Sequence, residues 1–79
     1  MGVTERRQRE REVRRELVIE AAMAIYAEEG YHAITMEKIA ERSEVSRAAL
    51  YLYFKNKEEI VLSAIVSHAD YFADRLEQL

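Results

Sequence analysis

The stretch Thr35–Lys57, TMEKIAERSEVSRAALYLYFKNK, decides the fold. It reads as two short helices, each opened by a hydroxyl residue and separated by a three-residue turn. Thr35 precedes Met36, Ile39 and Ala40, whose i, i+3, i+4 spacing puts three apolar side chains on one helical face. Ser46 precedes Arg47, Ala48, Ala49 and Leu50, so a second hydroxyl stands where the next helix would begin. Between them Ser43, Glu44 and Val45 leave room for a sharp turn and one apolar plug. Helices this short bury little apolar surface of their own. Their arrangement presents the second helix, which is how a helix-turn-helix addresses the DNA major groove.

Outside this stretch the composition points the same way. The 79 residues make one small domain, near the lower limit at which a core holds without staples. There is no cysteine, which excludes disulfides and thiolate metal sites. Proline is absent, glycine occurs only at Gly2 and Gly30, and β-branched runs are missing. An all-α chain is predicted: a three-helix helix-turn-helix domain plus a long fourth helix. No apolar run approaches a membrane span and the N-terminus is charged rather than signal-like, so a soluble chain without a membrane partner is expected, and the lack of cysteine allows a reducing, cytoplasmic interior. His32 and His68 lie far apart, and no cysteine, histidine or carboxylate cluster has ligand-like spacing. No metal, no cofactor and no catalysis are therefore expected.

The net charge of −3 conceals a division. Residues 1–15 hold six arginines and three glutamates, and residues 35–57 hold five cations and three glutamates. Residues 16–34 hold four glutamates and no cation, and residues 58–79 hold five acids and one arginine. Both positive blocks are expected to face DNA and both negative blocks to face away, because steering follows local potential rather than the total.

Residues 1–12 (MGVTERRQRERE) are polar and read as a flexible basic arm or a frayed extension of the first helix. That helix is predicted from about Val13 to Glu29, with Val18, Ala22, Ile25 and Tyr26 as a one-sided stripe. Gly30 stops it, entering the left-handed conformation without a Cβ penalty. The second helix is placed at about Met36–Arg42, the third at about Arg47–Phe54, and the whole reading unit at 13–57. Lys55-Asn56-Lys57 is a polar break, after which Glu58 and Glu59 open a fourth helix running through 58–79. Its Leu62, Ile65, Ala69, Phe72, Leu76 and Leu79 alternate in steps of three and four, a coiled-coil-like seam. Phe72, Leu76 and Leu79 are expected to find no partner within the chain, so either a second copy covers them or, the favoured reading, the chain is the first piece of a longer protein with a further, missing domain.

With these residues in view, the run from Val18 to Ile60 resembles the N-terminal DNA-binding domain of TetR-type transcriptional regulators. The resemblance rests on Val18-Ile19-Glu20-Ala21-Ala22, Ile25-Tyr26, Gly30-Tyr31, Thr35, Ile39-Ala40, Val45-Ser46, Leu50-Tyr51, Phe54 and Lys57-Glu58-Glu59-Ile60, in order and without a gap. It implies a sequence-specific, sequence-reading bacterial regulator, generally a repressor, that acts as a homodimer on a palindromic operator in double-stranded DNA. It also implies a small-molecule effector, held only by a C-terminal domain that this chain lacks.

The resemblance further implies roles for individual residues. Thr35 looks like a phosphate contact, a role compatible with capping, and Ser46 is placed to do the same. Arg47 is the candidate base reader, since its fork pairs with guanine O6 and N7; a phosphate-only role is the competing reading. Ala48 and Ala49 would let the backbone approach the groove and meet thymine methyls. Tyr51 and Tyr53 look like backbone contacts, and Lys57 resembles the lysine that grips a phosphate at the start of the fourth helix. Lys55 repeats that idea more weakly, and Arg14 and Arg15 are placed to reach DNA from the arm. One departure stands out: Glu44 occupies a turn position where the family usually carries glycine. The alternative to DNA binding is a helical protein-interaction or dimerisation module built on the fourth-helix seam.

Overall fold

Buried apolar side chains at helical spacing organise five helices, seen in a computed structural model that describes residues 2–77, with side chains to residue 74. They are α1 (Val3–Glu29), α2 (Met36–Ser43), α3 (Arg47–Tyr53), α4 (Lys57–Ser67) and α5 (Ala69–Glu77), with a short 3-10 turn at Tyr31–Ala33. No strand occurs among the described residues. Val18, Ile19, Ala22 and Ile25 of α1 meet Ile34, Ile39 and Ala40, Leu50 and Phe54, and Ile60 and Ala64 in one core. Burying each of the larger aliphatic side chains contributes about 1.5–3 kcal/mol. The long α1 is the platform, packing against both α2 and α4.

The first helix starts ten residues earlier than the expected Val13. Residues 3–12 are arginine, glutamate, glutamine and other residues free of breakers, and Glu5–Arg9 and Glu10–Arg14 are spaced i, i+4 in the favourable order. Nothing in that segment stops a helix already held by the core, so it continues as an exposed extension as far as Gly2. At the other end Gly30 adopts φ 96° and ψ 171° rather than the left-handed helical values expected. That region is open essentially to glycine alone. An added Cβ would also meet the His32 ring at 3.3 Å.

The turn between α2 and α3 is a Schellman motif built without glycine. The amide of Val45 donates to the Ala40 carbonyl at 3.2 Å and the amide of Glu44 to the Glu41 carbonyl at 3.3 Å. Glu44 sits at φ 60° and ψ 27°, the sole non-glycine residue with positive φ among those described. Val45 packs against the core and closes the motif with the expected apolar contact.

The single helix expected over 58–79 is interrupted at His68, whose φ of −127° and ψ of 45° separate α4 from α5. Its buried face also differs from the predicted seam. Ile60 and Ala64 are buried, whereas Leu62 and Ile65 are exposed. The stripe that packs is Ile60, Ala64, His68 and Phe72, in steps of four. The three-and-four count began at Leu62, two residues late, and so passed over Ile60 and Ala64 before meeting the packed stripe at Phe72. His68 places Nε2 3.2 Å from Glu16 Oε1 on α1. Phe72 does find a partner within the chain, meeting Tyr26 edge to face at 6.0 Å between ring centroids. The side chains of Leu76 and Leu79 lie outside the described residues.

Glu44→Gly removes the Cβ strain at the turn, about 1 kcal/mol, part of which is offset by the greater freedom of glycine in the unfolded chain. Thermal unfolding followed by circular dichroism should show Tm rising by a few degrees, with helix content unchanged.

Candidate nucleic-acid interface

Three helix starts share one construction. Thr35 Oγ1 accepts from the Lys38 amide at 3.0 Å, Ser46 Oγ from the Ala49 amide at 3.1 Å, and Asn56 Oδ1 from the Glu59 amide at 3.0 Å. Each is an N-cap to N3 bond. At the third start Glu59 Oε2 reaches back to accept from the Lys55 amide at 2.6 Å. The sequence carried the signal for this cap, an asparagine followed three residues later by glutamate, though Asn56 was assigned only to a polar break. Capping uses a lone pair of Thr35 and Ser46, so each hydroxyl keeps its proton to donate. Both residues are exposed. Capping and phosphate contact are therefore compatible at one atom.

The seven residues of α3 divide cleanly around their buried anchor, Leu50. Arg47, Ala48 and Tyr51 are exposed, as is Leu52, at 84% the most exposed large apolar residue among those described. Ala49 is half-buried, and Tyr53 packs its ring against the core. These two stand on the flank of the helix rather than on its outer face. Leu52 was missed in the sequence, yet it lies two residues from Leu50, about 200° around the helix. Two steps from a buried anchor is the far side.

Five cations of the segment 35–57 are not equivalent. Lys38 is paired with Glu29 and Arg42 with Glu28, tying α2 to the end of α1. Both cations are thereby engaged between two helices. Arg47 is held only loosely, its guanidinium 3.7 Å from Glu37 with the side chain 61% exposed. Lys57 lays Nζ 5.1 Å from the centre of the Tyr31 ring, at the amide-rich start of α4. Tyr31 beside it is exposed.

Arg15 stacks its guanidinium 5.0 Å from the centre of the Phe54 ring, and Arg11, Arg15, Leu52 and Tyr53 line one cleft between α1 and α3. Arg15 is thus engaged by the protein itself. Among the described residues no group of three or more histidine, cysteine or carboxylate side chains is placed to hold a metal ion.

The Lys38 ammonium hydrogen-bonds the Glu29 carboxylate, and that bond, reinforced by its charge, holds Glu29 below the ordinary carboxylate range. A lowered value in the folded state stabilises the fold at pH above the unfolded carboxylate value, and this is lost as pH falls through the folded one.

With the geometry described, the relatives can be compared. Residues 18–64 match the model of bacterial regulatory proteins of the tetR family. The chain belongs to that family. It is similar to the fatty acid metabolism regulator protein of Bacillus subtilis, 41% identical over 61 residues that make up 77% of this chain and 31% of that protein. It is likewise similar to the HTH-type transcriptional activator FasR of Mycolicibacterium smegmatis, 35% identical over 68 residues, 86% of this chain and 31% of the relative. The HTH-type transcriptional repressor KstR of the same organism is 40% identical over 52 residues, 66% of this chain and 26% of the relative. The chain spans about a third of the length of the first two of these family members. No solved structure matches it. The family match covers α2, α3 and the buried part of α1, and stops at Ala64, before the break at His68. No helix among the described residues is long and apolar enough to cross a membrane.

Lys38→Met should raise the Glu29 carboxylate toward its ordinary range. Carbon-detected NMR titration of the glutamate side chains checks this: Glu29 should titrate at higher pH in the variant.

Proposed function

We propose that this chain is the DNA-reading portion of a bacterial transcriptional regulator, generally a repressor, which inserts α3 into the major groove of double-stranded DNA. The observation that carries the reading is the exposed surface of α3: Ala48, Tyr51 and Leu52 project away from the buried Leu50, and Arg47 is exposed in the first turn, on the flank about 60° from it. Arg47 pairs bidentately with a guanine edge, and Ala48 lets the backbone approach the bases. Thr35 and Ser46 donate their spare hydroxyl protons to phosphates, Tyr51 reaches a phosphate with its hydroxyl, and Lys57 supplies charge at the start of α4. Ala49 and Tyr53, on the flank, contribute through packing and backbone contact at the groove wall.

In this reading residues 13–57 form the reading unit, residues 1–12 a basic arm in helical form, and residues 58–79 the connection to an effector-binding domain. Two copies occupy the half-sites of a palindromic operator as a homodimer, in the cytoplasm. A small molecule bound by the further domain alters the spacing of the two heads. The relatives are transcriptional regulators, and regulation rather than catalysis is the corresponding role. Leu62 and Val66, exposed on α4, favour one competitor, a helical interaction module that does not bind DNA.

The two readings separate on salt. A fluorescence titration with duplex DNA should show affinity falling steeply as salt rises; no binding at high micromolar protein in low salt would defeat the DNA reading. Lys57→Ala should weaken all sequences alike and reduce the salt slope by about 0.9. Arg47→Ala should instead flatten discrimination at one base position, by about 1–3 kcal/mol. Glu37→Gln, which frees Arg47 from its exposed partner and removes a negative charge beside the groove, should tighten binding severalfold at low salt and little at high salt.

A further inference from the structure

The face of α1 that forms the core changes character toward its N-terminus. Arg7, Arg11 and Arg14 each stand eleven residues before a buried core residue, Val18, Ala22 and Ile25 respectively. Eleven residues are about three helical turns. The three arginines therefore continue the buried stripe in line, on a stretch with no core left to cover. At about 100° per residue Glu10 falls to one side of that stripe, and Glu5 and Glu12 fall toward the opposite face. Among the described residues, no carboxylate is paired with Arg7, Arg11 or Arg14. All three are exposed.

The direction in which this stripe looks is set by α3. Arg11 and Arg15 share a cleft with Leu52 and Tyr53, and Arg15 is locked over the Phe54 ring. The arginine face is thus continuous with the outer face of the reading helix, not with the acidic side of the molecule. We infer that the α1 extension is a second, rigid DNA-contact element, its Arg7, Arg11 and Arg14 lying along the phosphate backbone beside the half-site that α3 reads. The inference rests on the DNA reading and adds the partner surface of a segment outside the family match. Phosphate is the ligand that fits: three guanidinium groups spaced one turn or slightly less apart offer charge and paired donors but no apolar anchor. The segment 3–14 is about 18 Å long at about 1.5 Å per residue, which corresponds to about five base pairs at about 3.4 Å each.

The test uses a duplex selected by this chain from a random library, prepared in two lengths: trimmed to the half-site, and extended by about ten base pairs on each side. Wild type and the triple variant R7A/R11A/R14A are titrated against both across a salt series. Alanine is the best helix former, so the extension persists, and circular dichroism verifies this. On the extended duplex the variant should lose about tenfold or more in affinity, and its salt slope should fall by up to about 2.7. On the trimmed duplex the two proteins should bind alike. R7K/R11K/R14K should restore most of the slope, because a phosphate contact is mainly a point charge. Equal slopes for wild type and the alanine variant on the extended duplex would overturn the inference while leaving α3 as the reader. Equal losses on both lengths would overturn it too, showing only a general charge effect. If wild type binds neither duplex, the DNA reading fails along with it.

Discussion

A helix of seven residues has negligible stability in water, because the cost of its first turn is barely recovered before it ends. The α3 segment stands because Leu50 is buried at its centre, Phe54 is buried just beyond its end, and Ser46 caps its start. Those three points also fix its rotation. Rotation matters more than position here, since about 100° of turn carries each residue of a helix to a different environment. With Leu50 inward, Ala48 and Leu52 are forced outward and Tyr53 is forced against its neighbours. The outward face of α3 is the complement of one buried leucine.

The platform beneath α3 is held by unlike means on its two sides. Toward the core the contacts are aliphatic and close-packed. Toward the surface, Glu28 and Glu29 at the end of α1 draw in Arg42 and Lys38 of α2. Exposed pairs of this kind contribute little to stability. Their greater effect is on the distribution of charge. By neutralising two cations of the central segment they leave Arg47, Lys55 and Lys57, together with the arginines of α1, as the sources of positive potential. The acidic total of the chain therefore says little about the field near α3.

Much of this was legible in the residues. The caps Thr35 and Ser46, the pair Leu50 and Phe54, and the stripe Val18, Ala22 and Ile25 each follow from spacing and local chemistry, whereas Glu44 stood out only against the glycine usual in the family it resembles. What escaped the sequence depended on context. The start of α1 turned on whether Arg- and Glu-rich helix formers extend a helix already anchored elsewhere, which composition alone leaves open. The inner face of α4 was misjudged because two stripes coexist there, one in steps of four through Ile60 and Ala64 and one through Leu62 and Ile65. Only the packing against α1 selects between them. The break at His68 has no proline or glycine to announce it. Leu52 was overlooked because apolar residues are ordinarily assigned inward, whereas its place around the helix was dictated by its neighbour.

Among the described residues, no polar or charged side chain is buried, and no buried side-chain donor or acceptor is left without a partner. The interior is a purely hydrocarbon and aromatic assembly, with nothing inside it that titrates or attracts counterions. Changes in ionic strength or mild acidity consequently act on the periphery of the molecule and leave the scaffold intact. A regulator so constructed can have its grip on a polyanion weakened by salt over a wide range while its architecture stays the same.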